Sequence, residues 1–130
     1  MNDRIILYHF CAERHLRSIM TRGLVKGAIA EPTPTGFRIY SGWTWLTLDP
    51  DPGRQSWATK NIIKYDRTQC RLMIEIPDTE RGKLFDRMGI VAFFPSCDLL
   101  FDGFPGSENW RVFHGRIPLE WIKSAERINK

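Results

Sequence analysis

Cysteine is scarce in this chain. Cys11, Cys70 and Cys97 are odd in number, widely spaced, and part of neither a CxxC pair nor a Cys/His cluster. That pattern argues against a disulfide framework and against a zinc site, and makes a reducing cytoplasm the simplest setting. Long hydrophobic runs are missing too: nothing approaches the roughly 18–20 apolar residues that cross a bilayer. The opening Met-Asn-Asp-Arg carries an acid and leads into only Ile5 to Leu7 before polar residues resume, unlike a secretory leader. Neither membrane insertion nor secretion is expected. The sequence also lacks internal repeats, low-complexity tracts and blocks of one charge. It contains no GxxxxGK[ST], GxGxxG, HExxH or GxSxG, which removes the common nucleotide-loop, metalloprotease and serine-hydrolase signatures.

What is present fits one domain. The chain has 130 residues, 42% hydrophobic and 12% aromatic, enough for a single core between two layers. Nineteen Lys and Arg against fifteen Asp and Glu give a net charge of +4 and a pI near 9.2. Arginine outnumbers lysine, and guanidinium groups suit bidentate contact with phosphates or carboxylates, whether of a nucleotide, a nucleic acid or an acidic protein face. An ordinary solvated surface accounts for such arginines equally well.

The residues from Arg4 to Phe10 form a β-rich apolar run, and a helix follows from Glu13 with Leu16, Ile19 and Met20 at three- and four-residue spacing. Gly23 sits where a left-handed residue would end it, with Leu24 poised to fold back on the last turn. Pro32 and Pro34 predict a surface loop over Glu31 to Gly36, and Pro50 and Pro52 a second over Asp49 to Gly53. Between them, Tyr40 to Leu48 reads as one strand with Ser41, Trp43, Trp45 and Thr47 on one face and Gly42, Thr44, Leu46 and Leu48 on the other. Alternation is plainest at Cys70 to Ile76, which Pro77 stops. Gly82 to Gly106 is apolar but irregular and reads as short helical turns and a loop over the core. Trp110 to His114 reads as a strand, and Pro118 as the start of a short helix through Trp121 and Ile122, with Glu120 in its first turn.

The segment Leu7-Tyr8-His9-Phe10, followed by His-Leu-x-x-Ile-x-x-x-Gly-Leu from His15 to Leu24, resembles the opening of the ADP-ribosyltransferase-like superfamily, in particular the DarT-type DNA ADP-ribosyltransferases and the RNA 2′-phosphotransferases. The resemblance implies an α+β fold with a split mixed β-sheet and a few short helices, and NAD as co-substrate. By it His9 contacts the ribose and the main chain of Phe10 the nicotinamide amide. An imidazole at a strand end can hydrogen-bond a diol without carrying charge; the plain alternative is a satisfied histidine beside the core.

The Trp43-Thr44-Trp45-Leu46-Thr47-Leu48-Asp49-Pro50 segment is similar in character to the family's strand that walls the nicotinamide pocket, and its parity selects Thr47 with Trp45. Two tryptophans on one face are equally well plain core. The run Trp110 to Pro118 resembles the last core strand, which in the family begins with the catalytic Glu. Here Trp110 stands at that position, and the nearest carboxylate, Glu108, is the candidate for stabilising the ribosyl cation or else a solvated loop acid. Cys97 has no motif to make it a nucleophile and reads as a small buried residue.

Two functions from different classes follow. One is an enzyme transferring ADP-ribose from NAD to a macromolecular target, protein or nucleic acid, with protein favoured. The other is a non-catalytic inhibitor that binds another protein from the same scaffold through Trp, Phe and Arg anchors. The resemblance implies a phage or mobile-element setting, including anti-defence and anti-CRISPR proteins. No metal or membrane partner is expected. Nucleic-acid binding without chemistry rests only on the basic pI and the aromatics. An outward-facing Glu108 or a filled cleft favours the binder; a cleft lined by His9, Trp45 and Thr47 with Glu108 inside favours the enzyme.

Overall fold

The computed structural model describes residues 5–25, 27–50, 70–102 and 107–128. The first strand, β1 (Ile5–Cys11), leads through Ala12 into helix α1 (Glu13–Arg22). Glu13 in the first turn and Arg22 in the last complement the helix dipole. Gly23 stops the helix at φ +79°, donating its N–H to the Ile19 carbonyl at 2.7 Å. A Cβ at this glycine would also collide with the Ile117 carbonyl oxygen. Leu24 turns back toward the helix and forms an isolated antiparallel bridge with Ile117.

A two-stranded ribbon follows, β2 (Ala28–Thr33) with β3 (Gly36–Ser41), and then β4 (Trp43–Thr47). Here the structure corrects two sequence expectations. Pro32 does not force a loop: it lies in β2 opposite Phe37, because in a two-stranded ribbon each strand has one side with no neighbour to require its N–H. Tyr40 to Leu48 is not one strand either. Gly42 adopts φ +87° and redirects the chain, so β3 stays in the ribbon while β4 enters the main sheet.

Strand β5 (Cys70–Ile76) alternates as expected, with Cys70, Leu72, Ile74 and Ile76 fully buried and Arg71, Met73 and Glu75 half-buried. After Pro77 come a 3₁₀ helix (Asp78–Lys83), the short β6 (Leu84–Phe85), α2 (Arg87–Phe93), a 3₁₀ turn (Pro95–Cys97) and α3 (Asp98–Asp102), the expected short helical pieces. Asp86 caps α2 by accepting from the Gly89 N–H at 3.1 Å. The rest of the Asp49 to Gly53 loop beyond Pro50, and Phe104 to Gly106, lie outside the described residues. The chain ends through β7 (Trp110–His114), a 3₁₀ turn (Leu119–Trp121) and β8 (Ile122–Arg127). Pro118 does open a helical turn, but Ile122 begins a strand that the sequence reading missed.

The main sheet has the order β6-β7-β4-β1-β5-β8, so the α+β class holds. Instead of the expected mixed pairing, every pair among the described strands is antiparallel. The path accounts for the β1–β4 pairing: α1 and the ribbon leave from the C-terminal end of β1 and bring β4 in at that same end, so it runs back antiparallel. The pairing is also uneven. β1 matches β5 at seven successive positions, whereas it meets β4 only at Tyr8 opposite Thr47. The sheet is therefore two three-stranded halves joined at a narrow seam.

Its two faces differ in chemistry. One carries Leu7, Leu46, Leu72, Ile74, Ile76 and Phe113 and is covered by α1 through Leu16 and Ile19. The other carries Trp43, Trp45, Trp110 and Val112 and is covered by the ribbon and the α2–α3 segment through Ile29, Ile90, Phe94, Cys97 and Phe101.

Candidate functional site

The seam is where the predicted site residues gather. His9 lies one residue beyond the single β1–β4 match, and its Nδ1 sits 2.9 Å from the Trp45 carbonyl oxygen. A carbonyl oxygen only accepts, so Nδ1 carries the hydrogen in this contact and Nε2 presents a lone pair. Burial pushes the His9 imidazole below its usual value, and the bond to Trp45 offsets that in part. The residue is a neutral imidazole wedged between two diverging strands.

Trp45 and Thr47 follow the parity read from sequence: both lie on the aromatic face, with Leu46 on the other. His9 does not join them there. It stands directly opposite Leu72 and shares its side of β1 with Leu7, on the aliphatic face. The sheet thus separates the His9 side chain from those of Trp45 and Thr47, and the link between them is the Trp45 main chain.

Each of these side chains is already engaged. Trp45 donates its indole N–H to the Ala28 carbonyl at 3.1 Å and meets Trp110 edge-on, the ring centroids 5.8 Å apart. Thr47 is buried, and its Oγ1 accepts from the Asp49 N–H at 3.1 Å, a local turn that also holds Asp49 under cover. Thr44, on the opposite face, donates to the Gly115 carbonyl at 3.0 Å. Phe10 is buried, and its main chain lies in the ladder opposite Arg71, so the backbone expected to meet an amide is a ladder position.

Trp110 is the decisive residue. It stands directly opposite Thr47 across the β4–β7 ladder, so both side chains share the aromatic face. There the indole packs against Trp45 and Phe101, whose centroid lies 5.8 Å away, and the residue is 9% exposed. Glu108 is elsewhere: it is the exposed residue of a 3₁₀ turn (Ser107–Asn109) whose Ser107 is buried, and its carbonyl accepts from Arg111 Nη1 at 3.0 Å. The structure therefore brings the main chains of His9, Trp45 and Thr47 to one seam but sets the His9 side chain on the other face, with Trp110 beside Trp45 and Thr47 and Glu108 exposed.

Two neighbours of the seam escaped the sequence reading. Tyr8 is the cross-strand partner of Thr47, and the Arg71 guanidinium lies 5.8 Å from the Tyr8 ring centroid. Arg71 also donates to the Pro50 carbonyl at 2.9 Å and to Glu126 Oε2 at 3.1 Å, drawing the segment after β4 toward β5 and β8. Parity puts Tyr8 on the side of β1 away from His9, but that this is the face of Thr47 follows only from the register between the strands.

Among the described residues no group of three or more His, Cys, Asp or Glu is placed to hold a metal ion, and no helix is long and apolar enough to cross a membrane. No protein-family model, curated protein or solved structure matches the chain.

Proposed function

We propose that this protein works by gripping a macromolecular partner, most directly another protein, from an ADP-ribosyltransferase-like scaffold that does not turn over NAD. The observation that carries this reading is Trp110. At the strand position where the resembled family begins with its catalytic glutamate, an indole fills the aromatic face against Trp45 and Phe101, while Glu108 stands on an exposed turn. Stabilising a ribosyl cation needs a carboxylate aimed at the developing charge within a prepared cleft. A tryptophan in that place supplies none.

The gripping surface in this reading includes the outer face of the β2–β3 ribbon. Phe37 and Ile39 are 65% and 61% exposed there, with Ala30 and Pro32 opposite them in register. Aromatic and aliphatic anchors of this kind form the centre of protein interfaces. A phage or mobile-element origin, with a host defence protein as the partner, follows from the resemblance and belongs to the same proposal.

A second reading keeps NAD. It is favoured by His9 alone, a neutral imidazole at the seam with a lone pair on Nε2 suited to a ribose hydroxyl. Calorimetry with millimolar NAD, together with a nicotinamide-release assay on the wild type, His9→Ala and Glu108→Ala, separates the two. The gripping reading expects neither heat nor nicotinamide. Binding lost in His9→Ala, with release lost in Glu108→Ala, would replace it with the transferase.

A further inference from the structure

Cys11 is the last residue of β1 and Cys70 the first of β5, and the two face each other directly across the ladder. Facing residues on antiparallel strands have Cα atoms about 4.5–5.5 Å apart, inside the roughly 4.4–6.8 Å that a disulfide spans. Their side chains leave the same face of the sheet. The two thiols are close enough to shift each other's titration. Both are free and buried, 6% and 0% exposed. Cys97 lies apart from them, in the cluster on the aromatic face.

We propose that Cys11 and Cys70 form a cross-strand dithiol that closes to a disulfide by exchange with a small-molecule disulfide, a modification site that ties the end of β1 to the start of β5. In the first step one thiolate attacks the small disulfide, forming a mixed disulfide and releasing one small thiol. In the second, the facing cysteine, once deprotonated, attacks the protein sulfur of that mixed disulfide and releases the second small thiol. Two protein thiols are oxidised to one disulfide, and one small disulfide is reduced to two thiols.

The setting of the pair controls access. Burial pushes the Cys11 thiol up to about 11, the neighbouring Cys70 pushes it the same way, and burial raises Cys70 as well, so the closed corner holds the pair protonated. Both residues are strand-terminal, where ladders open most readily. The corner is spanned by the Arg127–Glu13 ion pair at 3.0 Å, Arg127 being the β8 partner of Cys70. Half-exposed pairs of this kind hold weakly. Once formed, the bridge closes the chain from residue 11 to residue 70, two residues beyond His9, and constrains the unfolded chain.

The test uses the full wild-type chain, so no variant has to fold. The protein is incubated with excess oxidised glutathione, quenched in acid, denatured, alkylated, digested and analysed by mass spectrometry. The expected product is one peptide pair joined through Cys11 and Cys70 and lighter by two hydrogens, with alkylation confined to Cys97. The intact oxidised protein melts roughly 5 °C or more above the reduced one, reversibly with dithiothreitol. Full alkylation of Cys11 and Cys70, a glutathione adduct that persists on either, or a bridge through Cys97 or between chains would overturn the proposal.

Discussion

The two faces of the main sheet are built from different materials. Leucine and isoleucine dominate the face under α1, while tryptophan and phenylalanine dominate the face under the ribbon and the α2–α3 segment. The aliphatic face needs only to exclude water, which branched apolar side chains do at any orientation that packs. The aromatic face is more specific: Trp45 finds the Ala28 carbonyl for its N–H, Trp43 stacks on His114 at 4.0 Å, and Phe94 meets Trp43 edge-on. Trp110 joins this network, edge-on to Trp45 and tilted against Phe101.

Deleting a wall of either face has the largest expected effect. Trp110→Ala and Ile74→Ala should each destabilise the fold by about 2–5 kcal/mol, read as a shift in denaturant midpoint. The faces should then part company. Ile74→Ala leaves an aliphatic void, whereas Trp110→Ala opens a flat space beside Trp45 that admits a small aromatic probe, visible as quenching of tryptophan fluorescence. Equal behaviour of the two variants toward the probe would show that the aromatic face has no special shape.

A smaller effect comes from the seam. His9 is held below its usual value by burial, so the unfolded chain takes up a proton at higher pH than the native one. Stability should be unaffected well above pH 6.5 and should fall as the pH drops below that, by at most about 1.4 kcal/mol per pH unit. His9→Gln should flatten this part of the profile, checked by urea titrations from pH 7.5 to pH 5. An unchanged slope would mean that the histidine is solvated in the native state.

The smallest effects belong to surface charge. Glu108→Ala should change stability by less than about 0.5 kcal/mol, as exposed substitutions do. Breaking the Arg71–Glu126 pair with Glu126→Ala should cost about 0–1 kcal/mol and less at high salt. A larger loss at either position would show that the carboxylate has a structural duty.

Much of this architecture is legible in the chain. Strict alternation from Cys70 to Ile76 identifies β5, and the three- and four-residue spacing ending at Gly23 identifies α1, because burial on one side imposes those periods. Strand β8 is not legible: its run Ile122 to Arg127 is mostly exposed at the edge of the sheet and carries no alternating pattern. Pro32 misleads because the rule against proline in strands applies to paired N–H groups, and a ribbon has sides without them.

The site was legible within each strand and illegible between strands. Parity correctly put Thr47 with Trp45 and apart from Thr44. The face His9 shares depends on the match of Tyr8 with Thr47 and of His9 with Leu72, and register across strands leaves no trace in a single sequence. The same blindness hid Cys11 and Cys70, which are distant in the chain and adjacent in the sheet.

In the reading proposed above, Trp110 fills the place a catalytic carboxylate would need. That reading is tested most directly by measuring nicotinamide release from millimolar NAD by the wild-type protein beside Glu108→Ala. Neither protein is expected to release nicotinamide above the uncatalysed background. Release by the wild type that disappears in Glu108→Ala would contradict the reading and make the protein an enzyme.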